Sequence, residues 1–160
     1  MKLASFQFSG RSQVGVVDAE KCVVFPLCRQ VSGMLDLIRR YDKIKSQIRV
    51  DGDGIALTKI SLEAPIPRPF RNIICVGKNY REHAQEFTRS GFDSSGKSDA
   101  DAIPKAPIIF TKAPECVIAD GAPIQYPRGV SDQVDYEAEL AVVIGRTARR
   151  IQRSEAYHYV

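Results

Sequence analysis

The sequence predicts an α+β protein in which strands predominate, and three observations carry that reading. Short runs of alternating apolar and polar residues, separated by turn residues, fill much of the first 62 positions. A proline run, Pro65-Ile66-Pro67-Arg68-Pro69, then excludes both helix and central strand. Much later, Asp135-Tyr136-Glu137-Ala138-Glu139-Leu140 alternates strictly, passes into Ala141-Val142-Val143-Ile144 and stops at Gly145. That last pattern predicts a strand whose second half is buried on both faces.

Taken in order, residues 2–8, 14–18 and 22–25 read as three short strands. Turns at Ser9-Gly10-Arg11-Ser12 and at residues 18–21 join them. Ser32 is placed to cap a helix reaching Tyr41, with Leu35, Ile38 and Tyr41 on its apolar face. Asp51-Gly52-Asp53-Gly54 looks like a calcium loop, but Ile55 stands at position five, where a ligand belongs, and the fixed glycine and terminal glutamate are absent, so a turn is expected. Residues 60–62 form another strand. Residues 1–64 then make a small α+β module, 65–70 a stiff connector, and 71–160 the start of the working domain. There, residues 72–77 predict a buried strand, 78–87 a short helix, 107–112 a strand ending at Lys112, and 124–126 a short strand.

Composition narrows the class. At 160 residues, 44% hydrophobic and 26% charged, the chain is long enough for a real core. No apolar run approaches the ~18 residues of a membrane span, and the first residues lack the apolar core of a signal peptide. Cys22, Cys28, Cys75 and Cys116 form no CxxC pair, so they read as reduced core thiols of a cytoplasmic protein. A net charge of +4 is too mild to imply nucleic acid. Arg146, Arg149, Arg150 and Arg153 recur at helical spacing and read as a solvated helix face.

Two constellations carry chemistry. Asp135, Glu137 and Glu139 share one strand face at spacings of roughly 6.5–7 Å. Clustered carboxylates repel unless protonated or bridged by a cation, and hard oxygens suit Mg²⁺ or Mn²⁺. A strand with one solvated acidic face is the alternative. His83 and Glu86 are three apart on the predicted helix and so share a face, where a carboxylate raises the basicity of an imidazole. Such a pair suits a proton-transfer base, and an ordinary surface pair is the alternative. His158, in an aromatic-rich stretch, is expected to pack.

Residues 88–104 are nearly all small, polar or charged and read as a mobile lid or a disordered stretch. Within them Gly91-Phe92-Asp93-Ser94-Ser95-Gly96-Lys97-Ser98 matches a P-loop pattern letter for letter. A P-loop needs a buried strand before it and a helix after it. Here a polar helical segment precedes, and Pro104 with two aspartates follows, so nucleotide binding is rejected.

Three blocks then agree with one family: Cys75-Val76-Gly77-Lys78-Asn79-Tyr80-Arg81-Glu82-His83, Pro107-Ile108-Ile109-Phe110-Thr111-Lys112, and Asp135 through Gly145. In order and approximate spacing they resemble the fumarylacetoacetate hydrolase family over about residues 70–160. The preceding module and connector resemble the N-terminal extension of many bacterial members. The resemblance implies that 71–160 is the first part of a mixed β-roll, in a homodimer, using Mg²⁺ or Mn²⁺. It implies metal ligands at Glu137 and Glu139, a base pair of His83 and Glu86, Lys112 near the site, and substrate contacts at Asn79 and Tyr80. The implied partner is a small 2-oxo or 1,3-dioxo carboxylic acid, with no nucleic acid or membrane. Carbon–carbon hydrolysis, as in aromatic-compound catabolism, is the first expectation; oxaloacetate-type decarboxylation or 2-hydroxydienoate isomerisation is the second. A binding or assembly module that kept the fold without catalysis is the third. Family members continue into a segment with a third metal-binding aspartate, so the chain is expected to be a fragment or truncation with little turnover alone.

Overall fold

The computed structural model describes residues 1–27, 29–91 and 102–160. Cys28, residues 92–98 of the P-loop-like run and residues 92–101 of the expected lid lie outside the described residues. The chain packs as two compact units, Met1–Pro67 with Ile118–Val160, and Arg68–Val117.

The first unit is built on an antiparallel sheet of β1 (Lys2–Phe8), β2 (Arg11–Asp18), β3 (Val23–Pro26), β4 (Ile55–Ala56) and β5 (Ser61–Leu62), in the order β4-β3-β2-β1-β5. Ser9 and Gly10, at φ 49° and 74°, form the two-residue turn that pairs Phe8 with Arg11. Two left-handed residues match the twist of the flanking strands, so Arg11 and Ser12 join β2 rather than the turn. At the next turn the Asp18 carboxylate accepts from the amides of Glu20 and Lys21 at 3.1 and 3.0 Å. These amides, with the Lys21 ammonium, hold the Asp18 carboxyl below its ordinary pKa.

Period-two alternation places Leu3, Ser5, Val14 and Val16 on one face of the β1–β2 pair. On that face Val14 joins Leu27, Val31, Met34, Leu37 and Ile44 in the buried core, with Leu3, Val16, Ile38, Ile48 and Ile66 packed against it. The helix α1 runs Met34–Ile44 and buries Met34, Leu37 and Ile44. This corrects the expected helix in its start and in part of its face: Ile38 packs against the core as expected, whereas Tyr41 does not. Gly33, not Ser32, is the cap, and the Asp36 carboxylate reaches back to the Ser32 amide at 3.0 Å while pairing with Arg40 at 3.1 Å. Met34, Leu37 and Ile44 recur at spacings of three and seven and bury one stripe, along which Tyr41 stays exposed. On the other sheet face Gly15 leaves room for Phe6 and Val24, both fully buried.

The cysteines correct a further expectation. Cys22 and Cys116 are exposed free thiols and Cys75 is half-buried, because Cys22 sits in a turn at φ 53° and the other two lie outside the core. His158 is exposed within a 3₁₀ segment, Arg153–Tyr159, rather than packed.

The larger correction concerns residues 124–126 and 135–145. Among the described residues neither stretch pairs with a strand, so neither is a strand here. A strand is defined by its ladder, and the backbone groups of 135–144 find no neighbouring strand. The apolar side chains expected to be buried stand open, Tyr136 at 87%, Leu140 at 84% and Ile144 at 63% exposure. Arg146, Arg149 and Arg150 are not helical either. Arg146 instead donates to Asp42 at 2.7 Å, holding that part of the chain to α1 through a side chain rather than a helical turn. Together with the Lys45 ammonium it keeps the Asp42 carboxyl below its usual range.

Among the described residues no helix is long and apolar enough to cross a membrane.

Candidate functional site

The second unit presents the histidine block. Strand β6 (Ile73–Gly77) pairs antiparallel with β7 (Ile108–Lys112), from Ile73 opposite Lys112 to Gly77 opposite Ile108. β6 is not buried as expected, since among the described residues the two-stranded ribbon has no sheet neighbours to cover it, and Ile74 is 72% exposed. Asn72 donates to the Thr111 hydroxyl at 3.2 Å across the ribbon.

Gly77 ends β6, and Lys78 turns the chain at φ 51° into an extended Tyr80 that caps α2 (Arg81–Arg89). Lys78, Asn79 and Tyr80 therefore lie before the helix, not in it. Thr88 and Arg89, expected to begin a lid, are helical. Ala84 is fully buried and fixes the inward face of α2, leaving His83, Glu86 and Phe87 exposed. Phe87 follows His83 by four residues, so their rings meet, with centroids 6.3 Å apart and planes inclined 29°. The Lys78 Nζ lies 5.6 Å from the centre of the same Phe87 ring. Phe87 thus links the lysine of the turn to the histidine of the helix. Its position four residues beyond His83 was the signal in the sequence, and the helix face was read without it.

A cleft of ≈190 Å³ opens beside this turn, lined by Gly77, Lys78, Asn79, Ile103 and Lys105 among others. His83, Glu86, Asn79 and Tyr80 are thus grouped on one turn and its helix. Lys112 is not grouped with that turn along the ribbon: it pairs with Ile73, four positions from Gly77, or about 13 Å at strand rise.

Glu137 and Glu139 belong to the other unit and are both exposed. Carboxylate oxygens are the right donors for a hard divalent cation. Among the described residues, however, no three His, Cys, Asp or Glu side chains come together to hold a metal ion. The donor set fits in kind and is short in number.

Against this geometry, comparison with known proteins is specific. The family model described as fumarylacetoacetate (FAA) hydrolase C-terminal matches residues 72–160. The chain is 35% identical over a 181-residue alignment to oxaloacetate tautomerase YisK of Bacillus subtilis, which covers all of this chain and 57% of that protein. It is 37% identical over 116 residues to the mitochondrial oxaloacetate tautomerase fahd2 of Xenopus laevis, covering 72% of this chain and 32% of that one. Among solved structures, fumarylacetoacetate hydrolase from Exiguobacterium antarcticum superposes with a TM-score of 0.68 at 32% identity, over 99% of this chain and 52% of its own. The chain thus spans about half the length, or less, of these relatives. Matched over residues 72–160, the chain belongs to the fumarylacetoacetate hydrolase family.

Proposed function

We propose that this chain supplies the proton-transfer helix and the acidic segment of an enzyme that interconverts keto and enol forms of a small 2-oxo carboxylic acid of the oxaloacetate type. The observation that carries this reading is the exposed His83–Glu86 face of α2 beside a cleft, on a chain whose similar proteins include two named oxaloacetate tautomerases. Tautomerisation requires one proton to leave the carbon next to a carbonyl and one to arrive at its oxygen. An imidazole serves both steps, because its charge state changes near neutral pH. Glu86, three residues further along the same helix face, is the residue we assign to orient His83. Asn79 and Tyr80, at the start of α2, contact the substrate.

Glu137 and Glu139 are the residues we assign to Mg²⁺ or Mn²⁺, as two of its ligands. When bound, the ion supplies positive charge that favours enolisation. Lys112 contributes a further positive charge near the substrate. A small oxo-acid as ligand and a second copy of the chain as partner belong to the same reading.

Carbon–carbon hydrolysis of an acylpyruvate is the second reading, favoured by the 32% identity to a protein named fumarylacetoacetate hydrolase. Deuterium exchange at C3 of oxaloacetate, followed by proton NMR beside an acylpyruvate cleavage assay, separates the two. Exchange that falls about 10²–10⁴-fold in His83→Asn supports proton transfer by His83. Cleavage without exchange favours hydrolysis, and neither activity with or without metal points to a non-catalytic module.

A further inference from the structure

The turn at Lys78 is built against local preference. Lys78 adopts φ 51°, a left-handed backbone that a β-carbon disfavours and that glycine adopts without cost. The hand-over from β6 to α2 asks for a left-handed residue, which glycine supplies at less cost, so the lysine side chain is the feature to explain. That side chain is half-buried, and its ammonium is held over the Phe87 ring, whose other neighbour is His83. Lys105 also lines the cleft, and among the described residues no aspartate or glutamate does. Val76, Ile103 and Pro104 supply apolar wall, which reduces competition from water for an anion. At ≈190 Å³ the cleft lies below the roughly 300–1,000 Å³ of pockets for drug-sized ligands, and so suits a compact one.

We propose that this cleft is an anion subsite in which Lys78 and Lys105 hold the distal carboxylate of a small dicarboxylate. The inference rests on the oxo-acid reading above and adds the residues that select a diacid over a monoacid. Held there, the second carboxylate fixes the ligand's far end while the carbon next to the carbonyl faces the His83 helix. Charge-assisted contacts from two ammonium groups make the selection.

The test is a ¹H–¹⁵N NMR titration of the 160-residue chain with succinate and, at matched ionic strength, butyrate. Succinate should shift the amides of Gly77, Asn79 and Ile103, and butyrate should bind about tenfold more weakly. Lys78→Gly should raise the melting temperature, by releasing the turn, while weakening succinate about tenfold toward butyrate. Lys78→Arg should keep the preference. Equal affinity for the two acids, or succinate binding unchanged in both Lys78→Gly and Lys105→Gln, overturns the proposal. A lower melting temperature in Lys78→Gly does so too, since the strain would then not exist. Failure of the proton-transfer reading looks different: succinate selection persists while C3 exchange in oxaloacetate is absent. Exchange without selection rejects the subsite alone.

Discussion

Residues 2–18 and residues 135–145 are both rich in apolar residues with alternating stretches, and only the first set is buried. In β1 and β2, Val14 is enclosed by neighbouring strands and α1, and Phe6 is buried on the opposite sheet face, while Leu140 and Ile144 stand open. The difference is in partners rather than composition. Residues 2–18 meet their ladder partners through a two-residue turn, and α1 supplies the second layer. Residues 135–144 have no ladder among the described residues, and the next residue, Gly145, is tied by its amide to the Tyr159 carbonyl at 2.8 Å rather than to a strand. An apolar alternation states a capacity to pair, and pairing needs a second strand.

The sharpest way to break this comparison is a matched pair of truncations. Leu37→Ala removes a fully buried side chain from the core and should cost about 2–5 kcal/mol. Leu140→Ala, at 84% exposure, should change stability by less than about 0.5 kcal/mol. Urea unfolding of both variants reads the contrast, and equal losses would mean that residues 135–145 are packed after all.

Gly15→Ala probes how tightly the sheet is closed. A β-carbon at Gly15 would lie 2.6 Å from Val24 Cγ2 and 2.7 Å from the Phe25 carbonyl oxygen. The carbonyl belongs to the paired strand and cannot rotate away, so overpacking of about 1–3 kcal/mol is expected in the same unfolding assay. A neutral result would show that β2 and β3 slide past one another more easily than their register implies.

The smallest effect concerns the tie between α1 and the end of the chain. Arg146 lowers the Asp42 pKa, chiefly by hydrogen bonding, so Asp42 is more acidic folded than unfolded. Its contribution is therefore fully present above the ordinary aspartate value of about 3.9 and is lost as pH falls through the lower folded value. The melting-temperature difference between wild type and Arg146→Gln should be small at pH 7, vanish toward pH 2 and shrink in 1 M salt, at a Debye length of about 3 Å. A difference that grows on acidification would remove Asp42 as the partner.

What was legible in the sequence follows the same division. β1, β2 and β3 are specified by alternation and nearby turns, so their positions were readable to within a few residues. The helix carrying His83 and Glu86 was readable because its shared face depends only on spacing. The start of α1 was misread because Ser32 looks like a cap, whereas the Asp36 carboxylate serves the Ser32 amide from inside the helix. The state of residues 135–145 was unreadable because pairing depends on a second strand, which the stretch itself does not specify. Arg146 is a similar case: its partner, Asp42, lies 104 residues away, and spacing among arginines carries no trace of it. The Lys78–Phe87–His83 arrangement depends on a left-handed turn, which the string Gly77-Lys78-Asn79 does not announce.

The position of β1 also sets an order of events during synthesis. β1 is interior to the sheet, yet its second neighbour, β5, begins only at Ser61, and Pro65 then accepts the Ser5 hydroxyl at 2.8 Å. A hairpin closes in roughly 1–10 μs, whereas a ribosome adds about 5–20 residues per second. The β1–β2 hairpin therefore waits seconds for the residues that finish its other side. Throughout that wait the nascent chain presents an unpaired backbone edge at Phe6 and Gln7, the stage at which a chaperone or a neighbouring nascent chain competes with β5 for the same hydrogen bonds.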